Sequence, residues 1–240
     1  MIIIPAIDII GGKVVRLSKG DYDSKKEYSS NPLDMAKRFE DAGLTHLHLV
    51  DLDGAKGGKP ENLKVLETIA SGTKLNVDFG GGVKSLESLV SVLNAGAKEV
   101  SLGSVAVKNR EAVLEWVCKY KDQLILSADV KDGLISISGW MEDTKIEAIE
   151  FIKGYYEEGL KKVISTDISR DGMLTGPSFE LYKTIDSAIP GIKTVASGGI
   201  SSYEDLVALG KLGIWGAIVG KAYYEGRISL EKLKEAEDAR

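Results

Sequence analysis

Short apolar runs alternate with helical patterns eight times along this chain, from the run Ile2–Ile7 to a last helical pattern over Ser229–Ala236. Parallel strands need a crossover between them, and a helix usually supplies it, so strict alternation predicts βαβ units and a parallel sheet. Eight units in 240 residues match the size of a (β/α)8 TIM barrel. A doubly wound open sheet is the alternative, but no G-x-G-x-x-G follows the first strand.

Several segments carry more detailed expectations. The polar segment 20–31 is expected to be an irregular surface loop, and Leu134–Trp140 a small excursion after the fifth strand. Helices are predicted from Pro60 to Ile69 and over Thr144–Glu158. Cys118, the only cysteine, lies in a helical pattern and is expected to be a buried small hydrophobe.

Landmarks of the first half recur in the second half at nearly constant distance. The matching pairs are Gly81-Gly82 with Gly198-Gly199, Gly103 with Gly220, Asp8 with Asp129, and Asp51 with Asp167. The offsets are 117 (198 minus 81), 117 (220 minus 103), 121 (129 minus 8) and 116 (167 minus 51). We therefore expect one barrel domain over 1–240, built from two similar half-barrels of about 1–121 and 122–240.

Glycine-rich turns follow the third, fourth, seventh and eighth strands. Backbone N–H groups at such turns, with helix N-termini behind them, suit a phosphate. The candidate phosphate-binding residues are Gly81, Gly82, Gly103, Ser104, Gly198, Gly199, Gly220 and Lys221. Tight turns without a ligand are the alternative, and the second copy of the pattern argues against it. In a barrel the two pairs lie opposite each other on the catalytic face, so they predict a groove with an anion site at each end.

Asp8 and Asp129 are predicted at the ends of strands one and five, facing each other across this groove. One carboxylate can stay ionised as a base while the other is kept protonated as an acid. Either aspartate alone could instead cap a helix or form a salt bridge. Asp171-Gly172 lies in a long loop after strand six, of the kind that folds over ligands, or it is only an Asp-Gly turn.

Four other side chains are candidates for contact with these carboxylates or with a ligand. Thr166 could orient a neighbouring carboxylate, and Trp140 could stack on a planar ring or anchor its loop in the barrel mouth. Arg16 and Lys84 could bind a phosphate or a carboxamide, or could simply be solvated.

The remaining features exclude several function classes. His46 and His48 alternate on one strand without a suitable metal-ligand partner, and we expect both to be structural. No motif for a metal, flavin or nucleotide is present, so no metal or cofactor is expected. The net charge of −5 and the lack of a Lys/Arg cluster argue against nucleic acid. Without a signal peptide or a long apolar run, we expect a cytoplasmic protein that does not bind membranes.

Seven segments together resemble one known family. They are Ile4–Asp8, Lys13–Leu17, Val50–Ala55, Gly80–Val83, Ser138–Trp140, Thr166–Gly172 and Ser197–Ile200. These motifs, which span nearly the whole chain, resemble the phosphoribosylformimino-aminoimidazole carboxamide ribotide isomerases of histidine biosynthesis. The resemblance implies a (β/α)8 barrel and an Amadori rearrangement of an aminoaldose to an aminoketose. It also implies a small-molecule substrate with a phosphate at each end, and no cofactor.

The same resemblance implies roles for the three aspartates. Asp8 would be the general base that takes the proton from the second carbon of the sugar. Asp129 would be the acid that protonates the ring oxygen, so that the furanose opens to a Schiff base. Asp171 is a rival for the acid role.

We expect the protein to be a monomer.

Three alternatives remain at this point. The cyclase subunit of imidazole glycerol phosphate synthase shares the repeat and both aspartates, but Ala6-Ile7 and Gly11-Gly12 favour the isomerase. A dual-specificity form that also isomerises phosphoribosyl anthranilate tends to carry an arginine where this chain has Ser138-Gly139. A phosphosugar-binding barrel without activity is the third alternative, and the full set of carboxylates argues against it.

Overall fold

The computed structural model describes residues 1–18 and 21–239, and these contain twelve strands. The strands are β1 (Ile2–Ile10), β2 (Lys13–Ser18), β3 (Asp21–Ser29), β4 (His46–Asp51), β5 (Asn76–Gly80), β6 (Glu99–Leu102), β7 (Leu124–Lys131), β8 (Leu134–Ile137), β9 (Glu142–Glu147), β10 (Lys162–Asp167), β11 (Lys193–Ser197) and β12 (Gly216–Val219). Eight of them close into a parallel ring in the order β1, β4, β5, β6, β7, β10, β11, β12 and back to β1. The predicted (β/α)8 barrel is confirmed.

Helices connect the barrel strands. They are α1 (Pro32–Asp41), α2 (Leu52–Gly57), α3 (Leu63–Gly72), α4 (Leu86–Asn94), α5 (Ser104–Lys108), α6 (Arg110–Tyr120), α7 (Ala148–Glu157), α8 (Phe179–Ala188), α9 (Tyr203–Lys211), α10 (Lys221–Tyr224) and α11 (Leu230–Asp238), with a 3₁₀ turn at Lys121–Gln123. Among the described residues, no helix combines the length and the apolar character that crossing a membrane requires.

Side chains of the barrel strands alternate between two cores. The barrel interior is filled by Ile4, Ala6, Ile125, Ile164, Val195 and Ile218. The larger core, which includes Ile3, Ile7 and Ile9, lies between the strands and the helices. Because successive side chains on a strand point to opposite faces, Asp8 continues the inward row of Ile4 and Ala6 on β1. Asp129 continues the inward row of Ile125 on β7 in the same way.

Two antiparallel hairpins, β2–β3 and β8–β9, extend from the barrel mouth, and the sequence interpretation of the second strand of each was wrong. Asp21–Ser29, expected to be irregular, is β3 and pairs with β2; residue 20 lies outside the described residues. Thr144–Glu147, expected to be helical, belongs to β9, which pairs with β8, and α7 begins only at Ala148. Both segments are polar and largely exposed, so no sustained apolar alternation marks them as strands.

Two further expectations differ from the structure. Helix α3 begins at Leu63 rather than at Pro60, because the buried Asp51 carboxylate accepts from the backbone N–H groups of Glu61 and Asn62 at 2.6 and 2.9 Å. Cys118 is exposed, because α6 buries Val113, Trp116 and Val117 on its other side.

The repeated landmarks occupy equivalent places in the fold. Helices α4 and α9 begin at residues 86 and 203, an offset of 117 (203 minus 86). Gly103 and Gly220 have nearly the same backbone conformation, with φ/ψ of −98°/−103° and −109°/−99°. The division into half-barrels near residues 121 and 122 stays a prediction.

Candidate active site

Asp8 and Arg16 form an ion pair at the end of β1. The antiparallel pairing of β1 with β2 sets Asp8 opposite Val15, and Arg16 Nη1 lies 2.9 Å from Asp8 Oδ2. Their side chains are only 14% and 12% exposed. Burial raises the pKa of Asp8 above its ordinary value, although the charges of Arg16 and His48 oppose that shift. Asp8 therefore has a higher proton affinity than an exposed aspartate, as a general base requires.

Asp129 receives its hydrogen bonds from neutral donors. Trp140 Nε1 donates to Asp129 Oδ2 at 2.9 Å, and the register of β7 with β10 sets Thr166 directly beside Asp129, to which its side chain hydrogen-bonds. Burial raises the pKa of the Asp129 carboxyl; the two hydrogen bonds oppose the rise, and nearby Asp171 adds to it. The orienting role of Thr166 stays a prediction. Trp140 touches the carboxylate itself in this structure.

Asp171 lies in the loop after β10, close to the other carboxylates. Burial raises its pKa, Arg16 and Lys221 lower it, and Asp8 raises it. Lys221 Nζ donates to the carbonyl of Gly172 at 2.8 Å, so this loop is fastened to the Gly220-Lys221 turn. The charge of Asp171 therefore acts together with those of Asp8 and Asp129, and its role as a rival acid stays a prediction.

Arg16 connects the carboxylates with one of the candidate phosphate turns. A Cβ added at Gly220 would lie 2.4 Å from Arg16 Nη2, so the guanidinium packs directly against this turn. Arg16 Nε is buried and has no hydrogen-bond partner within the described residues. An anion at this turn would meet a cation that also faces Asp8.

The Gly-Gly turns have the backbone that glycine alone adopts easily. Gly81 and Gly82 have φ of +107° and +78°, and Gly198 and Gly199 have +89° and +83°. Each turn leads into a helix capped by a serine, Ser85 before α4 and Ser202 before α9. Both turns therefore combine close backbone approach with a helix start, as predicted from the repeat.

The Gly103-Ser104 turn and Lys84, both predicted to bind substrate groups, have contacts away from the aspartates. The Gly103-Ser104 turn opens onto the β8–β9 hairpin, and Ser104 Oγ accepts from the backbone N–H of Ser138 at 2.9 Å. Lys84 reaches toward Gly58 instead, since a Cβ there would lie 2.9 Å from Lys84 Nζ. His46 lies at the other end of the barrel with its ring 6.2 Å from that of Trp215.

His48 lies at the mouth of the barrel beside the candidate site. The sequence interpretation, which treated both histidines as structural, missed this placement. His48 is flanked in the register by Ala6 on β1 and Asp78 on β5. His48 Nδ1 lies 2.5 Å from Asp78 Oδ1, and its charge acts on both Asp8 and Asp129. The available signal was the alternation of β4, in which the buried Leu47 and Leu49 face the helices and leave His48 facing inward.

The His48 imidazole is expected to titrate above its ordinary pKa, and below it in an Asp78→Asn variant. Burial lowers the pKa of His48, but the charge and hydrogen bond of Asp78, together with the charge of Asp8, more than offset this. Because the folded state binds this proton more tightly than the unfolded chain, the resulting stability is fully present below about pH 6.5. It is lost as the pH rises through the folded pKa.

An NMR titration of the imidazole signals measures this shift. The chain has only two histidines, and a His46→Gln variant assigns the signals. The same pKa in the parent and in Asp78→Asn would contradict the pairing.

Within residues 1–18 and 21–239, no three His, Cys, Asp or Glu side chains are grouped so that they could hold a metal ion. The fold and site together define a (β/α)8-barrel protein with buried, electrostatically linked carboxylates at the mouth of the barrel. This chain belongs to the histidine biosynthesis protein family, whose model matches residues 2–229.

Similar proteins cover nearly the whole chain. A protein of Flavobacterium psychrophilum is 54% identical over 98% of both chains, and one of Flavobacterium johnsoniae is 52% identical over the same shares. A protein of Parabacteroides distasonis is 52% identical over 96% of this chain and 97% of its own. All three are named as isomerases of an imidazole-4-carboxamide that carries a 5-phosphoribosyl and a 5-phosphoribosylamino group.

Proposed function

We propose that this chain is the isomerase of histidine biosynthesis that acts on phosphoribosylformimino-aminoimidazole carboxamide ribotide (ProFAR). The reaction is an Amadori rearrangement that turns its aminoaldose into an aminoketose. The observation that carries the proposal is the pair of buried carboxylates, Asp8 and Asp129, on opposite strands of the ring. The names of the similar proteins support it independently.

The surroundings of the two carboxylates favour different protonation states. Asp8 pairs with the cation Arg16, which favours its ionised form. Asp129 receives hydrogen bonds from the neutral groups of Trp140 and Thr166, which oppose the rise of its pKa, whereas the nearby carboxylate of Asp171 disfavours a second negative charge. Environments that differ in this way separate a base from an acid. We therefore assign the base to Asp8 and the acid to Asp129, with Asp171 as the rival acid.

The proposed reaction begins when the acid donates a proton to the ring oxygen of the sugar. The bond from this oxygen to the first carbon breaks, and the nitrogen lone pair forms a Schiff base. Asp8 then takes the proton from the second carbon, and the electron pair moves toward the cationic nitrogen. In the ketonisation the hydroxyl on the second carbon loses its proton and becomes the carbonyl while the first carbon is protonated, which completes the isomerisation without an external oxidant. The amine of the substrate is the electron sink, so the proposed chemistry requires no cofactor.

The two phosphates of the substrate are assigned to the two ends of the groove. One end is formed by Gly81-Gly82 with Gly103-Ser104, and the other by Gly198-Gly199 with Gly220-Lys221. The equivalent backbone conformations of these turns in the two halves support the assignment. Arg16 adds a positive charge beside the second end, which a protein of net charge −5 needs locally.

The purified protein is expected to convert ProFAR to its phosphoribulosyl isomer without ammonia or glutamine. Because the two compounds have the same mass, chromatographic separation measures the conversion. Absence of the isomer would overturn the proposal. Formation of imidazole glycerol phosphate from the isomer and ammonia, without conversion of ProFAR, would identify a cyclase instead. Turnover of phosphoribosyl anthranilate in a parallel reaction would add the second activity of a dual-specificity enzyme.

A further inference from the structure

The turn that carries Trp140 has an unusual backbone. Ser138, Gly139 and Trp140 have φ of +58°, +65° and +69°, three left-handed residues in succession. Two of them are not glycine, and a left-handed backbone is costly for residues with a Cβ. Such a conformation persists only where surrounding contacts hold it. Since the indole of Trp140 donates to Asp129, whatever holds this turn also determines a hydrogen bond of the candidate acid.

Hydrogen bonds to α5 and to the first residue of β9 hold the turn. Lys108 Nζ, at the end of α5, donates to Ser138 Oγ at 3.1 Å and lies 2.8 Å from Glu142 Oε2. Ser138 Oγ donates to the same Glu142 oxygen at 3.1 Å. At the start of α5, Ser104 Oγ accepts from the Ser138 N–H. We call these four residues the turn clamp: Ser104, Lys108, Ser138 and Glu142.

We propose that Lys108 and Glu142 are positioning residues, which act through the turn clamp to keep the Trp140 indole on Asp129. The turn clamp also connects one candidate phosphate turn with the acid, because Ser104 belongs to the Gly103-Ser104 turn and contacts Ser138 directly. The catalytic part of this inference rests on the proposed function, whereas the structural part does not.

The ion pair between Lys108 and Glu142 is too exposed to contribute much to the stability of the fold by itself. The side chains of Lys108 and Glu142 are 52% and 53% exposed, and isolated pairs of this kind contribute little to stability. A matched ion pair joins the end of β7 to the same hairpin: Lys131 and Asp143 are 2.7 Å apart, and their side chains are 48% and 56% exposed. The side chains of Lys131 and Asp143 hydrogen-bond to each other, and Asp143 also accepts from Ser136. Neither of these hydrogen bonds involves the Trp140 turn. Lys131→Met is therefore the control for Lys108→Met.

The first measurement is hydrogen exchange of the indole Nε1–H by NMR, which requires no enzymatic activity. The chain has three tryptophans, and Trp140→Phe identifies the Trp140 signal by its loss. We expect faster exchange at Trp140 in Lys108→Met and in Glu142→Gln, with little change in melting temperature. Lys131→Met is expected to leave the exchange as in the parent. Equal exchange in Lys108→Met and Lys131→Met would overturn the inference.

The second measurement is the kinetics of ProFAR isomerisation. Loss of one partially exposed pair is expected to lower kcat by about threefold to fivefold, with a smaller change in KM. Because both residues act through one turn, Lys108→Met with Glu142→Gln should fall no further than the worse single variant. Faster exchange with unchanged kcat would overturn the positioning role. An inactive parent protein would refute the proposed function. The exchange measurement would still show whether the turn clamp holds the Trp140 indole on Asp129.

Discussion

The Asp8→Asn variant is expected to lose turnover by about 10²–10⁴-fold while still binding substrate. An amide has nearly the shape of the carboxylate but cannot accept the proton from the second carbon of the sugar. The Gly220-Lys221 turn adjoins Arg16, the ion-pair partner of Asp8, but the proposed phosphate turns Gly81-Gly82 and Gly103-Ser104 belong to the other end of the groove, so that part of the binding surface is unchanged. Steady-state kinetics gives kcat, and titration calorimetry with ProFAR gives the dissociation constant.

Asp132→Asn is the matched control for this variant. Asp132 is an exposed aspartate three positions beyond Asp129 (132 minus 129), with φ of +50°, a conformation that asparagine also tolerates. Its kcat is expected to equal that of the parent. Near-normal turnover in Asp8→Asn would refute the assignment of the base, whatever the role of Asp171.

Substitution of Gly82 by alanine is expected to destabilise the protein by about 3 kcal/mol, from backbone strain and overpacking together. The φ of +78° is unfavourable for alanine, and its Cβ would lie 2.5 Å from the carbonyl carbon of Lys59 and 2.8 Å from the nitrogen of Pro60. Both are backbone atoms, so the clash is relieved only if the turn moves. The melting temperature should fall by about 6–12 °C. The turn is also a proposed phosphate site, so the KM for ProFAR should rise.

The Gly213→Ala variant is the control that separates backbone strain from the steric clash expected in Gly82→Ala. Gly213 has φ of +81°, and a Cβ there would meet nothing within 4 Å. Its loss of stability is expected to be about 1–2 kcal/mol, from backbone strain alone. Thermal unfolding of the two variants under the same conditions measures the difference. Equal melting temperatures would show that the Gly82 turn can move without cost.

The local sequence determined the barrel fold and the placement of the two aspartates and the glycine turns in its candidate site. Alternation of short apolar runs with helical patterns is a local property, so it can be read without knowing what each strand packs against. It places Asp8 and Asp129 near the ends of opposite strands, and the offset of 117 between β6 and β12, from residues 99 and 216, matches the offset of the glycine turns. These inferences depend only on periodicity and spacing, both of which a single sequence displays.

Tertiary structure alone decided the contacts that give the site its electrostatics. The pairing of β1 with β2 brings Arg16 to Asp8, and the register of β4 with β5 brings Asp78 to His48, 30 positions away in the chain. Strand β3, in turn, is made regular by its backbone hydrogen bonds to β2, since its polar side chains carry no strand signal. Apolar burial leaves a periodic trace in the sequence. Hydrogen bonds and ion pairs between distant segments leave none, because either partner alone is indistinguishable from a solvated side chain.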